Sequence, residues 1–394
     1  MLSKTPNGIS FEPNRCCQCG VCLSVCPRGA LSAHVDYELL IYRIDWQSEK
    51  CNLCGRCIKA CPAYVTSTWS VQQNQPEIQG TYLAWVTEER LRYISSSGGV
   101  GRGLIQVTLN RGLADYVYTL VKTEAFPWAE GQWMCDVEDP SIIANSMYLP
   151  LMFGKNLYPI PKGDRILVVG LPCQLAAFRR SLSDNNIKRD IITIAIFCKQ
   201  QKTFGFARFL ASMAGYELSF CPPISFRGNG WPGRISAGSY SVAYKEIASL
   251  IYGKKLWRLP ACCFCANPFA SGADLVLADP WGISGHFIDA GKTLVFAMTE
   301  RGVSIIKADE RRVVWEKIPS ELAFTSIDWA GIVRKAKLMR IYAGQHKGTL
   351  GQIKKGLLLL VEGQRRVYEH LLNRYKPPIW IQKAIGNLPD WSKY

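Results

Sequence analysis

From residue 113 onward the chain alternates short apolar runs with glycine and proline. The runs at 113–121, 165–170, 191–197, 273–278 and 293–298 are six to nine residues long and mostly uninterrupted by polar positions. Such runs suit strands buried on both faces of a sheet. Between them, 101–109, 174–183 and 203–213 carry the spacing of helices that follow turns, and strands interleaved with helices predict an α/β domain. The stretch 221–238 contains Pro222, Pro223, Gly228, Gly230, Pro232 and Gly233, and suits a loop over a ligand better than core. Beyond residue 330 long helical stretches interrupted by glycines lead to Pro377 and Pro378 and a short amphipathic end. The longest unbroken apolar runs, 191–197 and 356–361, fall far short of the ~20 residues of a membrane span.

A different pattern precedes this domain. Cys16, Cys19, Cys22 and Cys26 followed by Pro27 repeat as Cys51, Cys54, Cys57 and Cys61 followed by Pro62, with identical spacing. A 4Fe-4S cubane needs thiolates at four corners, and one tight loop supplies three, so the last cysteine of each run serves the other cluster. Cys16, Cys19, Cys22 and Cys61 are therefore expected to hold one cubane, and Cys51, Cys54, Cys57 and Cys26 its partner. Gly20 and Gly55 let each loop curl, and the prolines end the turn that follows. Zinc uses one or two C-x2-C pairs and leaves the remaining cysteines unexplained. With no leader sequence ahead of the cysteines, a disulfide framework is not expected either. Cys17 reads as a spare thiol. The module spans 1–65, a polar, Gln-rich linker 66–80, the α/β domain 81–330 and a C-terminal extension 331–394.

Charge adds one feature. The 394 residues are 48% apolar, enough for two or three globular domains, and carry a net +16. Residues 331–394 hold 13 Lys or Arg against Glu362, Glu369 and Asp390, a net +10. This basic extension fits peripheral docking on an acidic protein, an anionic cofactor tail or a membrane surface, or a solvated helix face with no partner. Nucleic acid is not an expected partner, because no recognised binding pattern accompanies the charge. The expected location is cytoplasmic, or peripheral to a membrane complex.

Further chemistry sits at the ends of the expected strands. Cys173 follows 165–170, Cys198 follows 191–197, and Cys262 and Cys265 precede 273–278. Loops at the carboxyl edge of an open sheet are where α/β proteins place ligands, so these thiols suit a third 4Fe-4S cluster, and would equally suit zinc. Cys135, Cys221 and Cys263 read as ordinary thiols. Ser95, Ser96, Ser97, Gly98 and Gly99 open a helix whose amides could receive a phosphate, although a serine N-cap on a glycine-rich packing helix is the commoner arrangement. His34, His286, His346 and His370 are scattered, and no hydrolase triad or paired acid is present.

These motifs together resemble the beta subunits of coenzyme F420 hydrogenases and dehydrogenases, across most of residues 10–305. The resemblance is carried by Ser96-Ser97-Gly98-Gly99-Val100, Gly112-Leu113-Ala114-Asp115, Ser146-x-Tyr148, Gly170-Leu171-Pro172-Cys173-Gln174, Phe197-Cys198, Phe226-Arg227-Gly228, Gly230-Trp231, Cys262-x2-Cys265, Asp279-x-Trp281-Gly282 and Thr299-x-Arg301-Gly302. It implies FAD held by Ser95–Gly99, Ser146 and Tyr148, with Arg227 and Trp231 nearby, and a cluster on Cys173, Cys198, Cys262 and Cys265. The implied fold is α+β and α/β: a two-cluster bacterial ferredoxin-like module, an α/β flavin-binding domain, and the basic, mainly helical C-terminal extension. The implied activity is oxidoreduction between coenzyme F420, or another hydride donor or acceptor, and an iron-sulfur protein or larger redox complex. Relatives that reduce a hydroxymethyl or vinyl group of chlorophyll intermediates, and a non-catalytic electron-wiring subunit, are the alternatives. Asn145, where glycine is usual, and the extension after Ala330 depart from the pattern.

Overall fold

The apolar runs become strands of one mixed sheet in the computed structural model, which describes residues 2–5, 8–11, 15–63, 75–184, 189–248, 252, 255–265, 267–270, 272–283, 290–308, 311–342 and 365–372. In chain order the strands are β1 (Leu2–Thr5), β2 (Gly8–Phe11), β3 (Leu31–Asp36), β4 (Ile41–Trp46), β5 (Gly80–Val86), β6 (Tyr116–Lys122), β7 (Ala129–Met134), β8 (Arg165–Gly170), β9 (Asp190–Ile196), β10 (Arg234–Ala237), β11 (Tyr240–Ala243), β12 (Leu275–Ala278), β13 (Thr293–Ala297) and β14 (Val313–Lys317). The helices are α1 (Val21–Ser24), α2 (Arg56–Ala60), α3 (Glu89–Ile94), α4 (Val100–Asn110), α5 (Pro172–Asp184), α6 (Phe204–Met213), α7 (Tyr244–Ala248), α8 (Glu300–Lys307), α9 (Ser320–Thr325) and α10 (Trp329–Tyr342), and residues 365–372 are also helical.

The large sheet runs β14-β5-β13-β12-β9-β8-β6-β7. β12, β9, β8 and β6 are parallel, and the flanking pairs are antiparallel. Successive residues of the parallel strands enter opposite cores, which explains the unbroken apolar runs. Ile166 and Val168 face one layer with Leu175 and Phe178 of α5, while Leu167 and Val169 face the other with Leu104 and Ile105 of α4. Each strand is thus covered on both sides. A third cluster, centred on Phe206, Phe209 and Trp257, gathers α6, the β10–β11 hairpin and Leu372.

The doubled cysteine run is also a doubled backbone. Gln18 and Gly20 have φ of 60° and 74°, and Leu53 and Gly55 repeat this with 56° and 76°; α1 and α2 follow the two glycines. The two glycines face different surroundings. A Cβ on Gly20 would sit 2.8 Å from the Met152 carbonyl oxygen, whereas nothing lies within 4 Å of one on Gly55. The first loop is pressed onto the main domain and the second is not. Gly154 N–H donates to the Cys19 carbonyl at 2.6 Å, and α2 rests against α5.

Several boundaries differ from expectation. The run at 113–121 begins as a turn, because the amides of Leu113 and Ala114 donate back to the Thr108 carbonyl and cap α4, so β6 starts at Tyr116. The pattern did not single out β7, a polar edge strand, nor β5 and β14. The irregular stretch 221–238 ends in β10, half of a hairpin with β11. Of the expected linker, 66–74 lies outside the described residues, and Gly80 already belongs to β5. Most of the basic extension lies outside them too, as do His286, His346, Pro377 and Pro378. Its described parts are integrated: Lys335 Nζ donates to the Lys199 carbonyl at 2.6 Å, and Leu372 is fully buried. Among the described residues no helix is long and apolar enough to cross a membrane.

Gly98 locks the turn before α4 against the sheet. A Cβ there would lie 2.4 Å from the Ala84 oxygen and 2.8 Å from the Thr293 nitrogen, both backbone atoms that cannot yield locally. Gly98→Ala should cost about 3 kcal/mol, the upper part of the overpacking range, read as a lowered thermal unfolding midpoint.

Candidate functional site

Thiols that repel one another when ionised raise each other's pKa, so the causes of each shift report which sulfurs are close. Cys16 is pushed up to about 11 by burial, with Cys19 and Cys61 acting in the same direction. Cys22 is raised by burial and then by Cys19, Cys16 and Cys61. Cys57 is pushed up to about 12 by burial and by Cys26, Cys54 and Cys51. The last cysteine of each run therefore lies with the first three of the other, the exchange that two cubanes require. Cys26, Cys51, Cys54 and Cys57 also line one cavity together. Backbone amides point at the sulfurs: Gln18 N–H at Cys16 Sγ and Leu53 N–H at Cys51 Sγ, both 3.4 Å, and Ala30 N–H at Cys26 Sγ, 3.3 Å.

The second group of thiols converges as well. Cys173 lies in the first turn of α5, Cys198 follows β9, and Cys262 and Cys265 belong to the turn ahead of β12. All four line one cavity, and Cys17 joins them there. Burial raises Cys198, with Cys262 and Cys265 adding to it, and pushes Cys262 up to about 11. Cys17 is not a bystander: its neighbour Cys173, burial and Cys16 raise its pKa well above the ordinary thiol value. Among the described residues no group of three or more His, Cys, Asp or Glu is gathered closely enough for a single metal ion. Cys221 is buried, Cys135 is exposed, and His34 and His370 are surface residues, His34 beside Asp45 at 2.6 Å.

A larger cavity of about 590 Å³ opens at the carboxyl ends of β6, β8, β9 and β12. This is where open parallel sheets hold ligands. Ser95, Ser96, Ser97, Gly99, Ser146 and Tyr148 line it, together with Val100 and Gly101 of the first turn of α4. The serine hydroxyls mostly hold the turn itself. Ser95 donates to the Leu91 carbonyl at 2.6 Å and accepts from Arg102, Ser97 donates to the Lys292 carbonyl, and Ser96 accepts from the Ser146 amide at 2.9 Å. What faces the cavity at this end is the helix terminus, whose first-turn amides have no intrahelical acceptor.

Arg227 does not line the cavity but stands behind it. Only 1% of its side chain is exposed, and it donates to Asp279 Oδ2 at 2.9 Å, Tyr148 OH at 3.2 Å, the Ser96 carbonyl at 2.7 Å and the Pro232 carbonyl at 2.7 Å. Its guanidinium also lies 4.4 Å from the Tyr244 ring centre. Burial by itself would lower its pKa, yet Asp279, Tyr148 and Tyr244 outweigh burial and hold it well above the ordinary value. Trp231 likewise sits outside the wall, packed at 4.8 Å on Trp281, which does line it. Asn145 has a task a glycine could not perform: its Nδ2 donates to the carbonyls of Ile94 at 2.8 Å and Arg227 at 3.3 Å. Tyr244, Tyr252 and Gln201 also line it. Nothing in their spacing marks them, since they are placed by the hairpin and by β9.

Two measurements check these assignments. Cys61→Ser should remove about four irons, and adding Cys16→Ser should remove no more, whereas adding Cys51→Ser should remove about eight in total. Additive loss for the Cys61 and Cys16 pair would refute the exchange. Arg227→Met should cost about 3 kcal/mol, the low end for a broken buried pair because Asp279 keeps some solvent, seen as a lowered unfolding midpoint.

Comparison with known proteins follows the same division. Residues 9–32 and 43–66 each match a 4Fe-4S binding domain, and residues 163–321 match the family that describes the C terminus of the coenzyme F420 hydrogenase/dehydrogenase beta subunit. None of the curated proteins compared matches the chain. A chain of the F420-reducing [NiFe] hydrogenase complex from Methanosarcina barkeri, solved as a xenon derivative, aligns with a TM-score of 0.49 and 16% identity over 66% of this chain and 92% of that one. With its carboxyl-edge cavity and two 4Fe-4S binding domains, the chain is similar over residues 163–321 to the C terminus of the coenzyme F420 hydrogenase/dehydrogenase beta subunit.

Proposed function

We propose that this chain is a flavin-dependent iron-sulfur oxidoreductase that passes electrons between a deazaflavin of the coenzyme F420 type and an iron-sulfur protein or larger redox complex. FAD would occupy the large cavity, and a third 4Fe-4S cluster would be held by Cys173, Cys198, Cys262 and Cys265. One observation carries the reading: Leu171, Gln174, Cys198, Lys199, Gln200 and Gln201 line both the large cavity and the thiol cavity. A group filling the first would therefore share a wall with a cluster in the second. When bound, a flavin exchanges electrons in pairs with a hydride carrier and singly with clusters, which is the conversion such a relay needs.

The residues of the chain bind and orient. The first turn of α4 offers amides and a positive dipole end to a pyrophosphate. Arg227 keeps the Ser96 turn, Tyr148 and Asp279 in fixed register, and Tyr148, Tyr244 and Trp281 supply aromatic walls. The two N-terminal cubanes would carry electrons onward, and Cys54 of the second is exposed to solvent.

Anaerobically purified protein should yield about one FAD and about 12 irons per chain, and its visible absorbance should bleach on adding reduced F420. Protein that holds iron without flavin, or that responds to chlorophyll intermediates and ignores reduced F420, would overturn the reading. Gly101→Asp places a carboxylate at the helix terminus, where it favours the helix and repels a phosphate. It should strip the flavin while leaving the iron content unchanged, as cofactor extraction would show.

A further inference from the structure

The cysteine left over from the repeat is the one that touches both halves of the molecule. We propose that Cys17 is the electronic bridge between the third cluster and the cubane on Cys16, Cys19, Cys22 and Cys61, so that electrons enter the N-terminal module at that cubane. The inference rests on the third cluster proposed above and adds a route to it.

Three observations carry it. Cys17 lines the cavity of the third set together with Cys173, Cys198, Cys262 and Cys265, and in the chain it stands next to Cys16 and two residues before Cys19, of the first N-terminal set. The loop is held in that position from both sides. Gln18, with φ of 60° and 2% exposure, receives the Tyr42 amide on Oε1 at 2.7 Å and donates from Nε2 to the Tyr42 carbonyl at 3.1 Å, while Gly154 N–H clasps the Cys19 carbonyl. The repeat then supplies an internal control. The position equivalent to Cys17 in the second run is Asn52, an exposed residue whose Oδ1 merely accepts the Cys54 amide at 3.3 Å. A thiol stands only in the run that meets the third set.

Sulfur suits this position. It is soft and polarisable, so a thiol in the wall of the cavity that Cys173 also lines offers electrons a better path than a saturated side chain would. When bound, a reduced cubane on the third set would supply one electron and an oxidised cubane on the N-terminal set would accept it, and Cys17 would stand in the path between them. No bond forms or breaks, and the Cys17 proton stays in place. The second cubane follows, and its Cys54 and the half-exposed Leu53 mark the outlet.

The test uses full-length holoprotein carrying Cys17→Ala or Cys17→Ser, with iron counted and freeze-quench EPR following each cubane after reduction through the flavin. Iron content and the rate of reducing the third cluster should match wild type, while the N-terminal signals should rise severalfold more slowly in Cys17→Ala. Cys17→Ser should recover part of the rate, because its hydroxyl keeps a polar, near-isosteric group in the cavity of the third set. Transfer at the wild-type rate in Cys17→Ala would overturn the proposal. So would the loss of about four irons, which would make Cys17 a ligand. A wild type showing only two cubane signals would defeat the third cluster itself, and is recognised without any variant.

Discussion

Thiols resist being brought together, and this chain brings two groups of them together away from water. Burial raises the pKa of Cys16, Cys57 and Cys262, and neighbouring thiols add to it, so gathering these sulfurs works against their ionisation. Iron-sulfur clusters take their ligands as thiolates, so filling the two N-terminal 4Fe-4S sites releases protons and couples to the folding of that module. The exchange of Cys26 and Cys61 between loops has the same consequence in geometry. Each loop is complete only when its twin is in place, and the pair α1 and α2 can then rest on α5 and the 153–156 turn.

The main domain meets this constraint with the edge of its sheet. Four parallel strands end side by side, so the segments after β8, β9 and β12 deliver Cys173, Cys198, Asp279 and Trp281 to neighbouring points. Arg227 then ties that edge to the α4 turn. Taking a guanidinium out of water costs several kcal/mol, and only dense pairing compensates for it. Here a carboxylate, a phenol, two carbonyls and a ring face surround the group, which explains why its charge is retained. It serves the cavity by holding the residues that line it.

The departures from the family pattern have physical content. Asn145 stitches the 94 and 227 segments together by its amide, so the added side chain is a strut rather than an obstruction. The basic extension is partly structural: Lys335 reaches the Lys199 carbonyl beside the third thiol set, and Leu372 plugs the core near Trp257. Removing residues 331–394 would therefore disturb the body of the protein as well as its charge.

Much was legible in the order of residues alone. The doubled cysteine spacing specifies two 4Fe-4S binding domains because the reach of a tight loop is a local property. The apolar runs specify buried parallel strands because both faces of each strand must be dry. The tertiary structure decided what depends on distant segments meeting. It placed Arg227 and Trp231 behind the cavity wall, turned the serine hydroxyls inward, recruited Tyr244 and Tyr252, and set Cys17 in the cavity of the second thiol group. None of these has a spacing of its own. Each position follows from a fold in which residues more than a hundred apart in the chain share one sheet edge, and only the packed molecule defines that proximity.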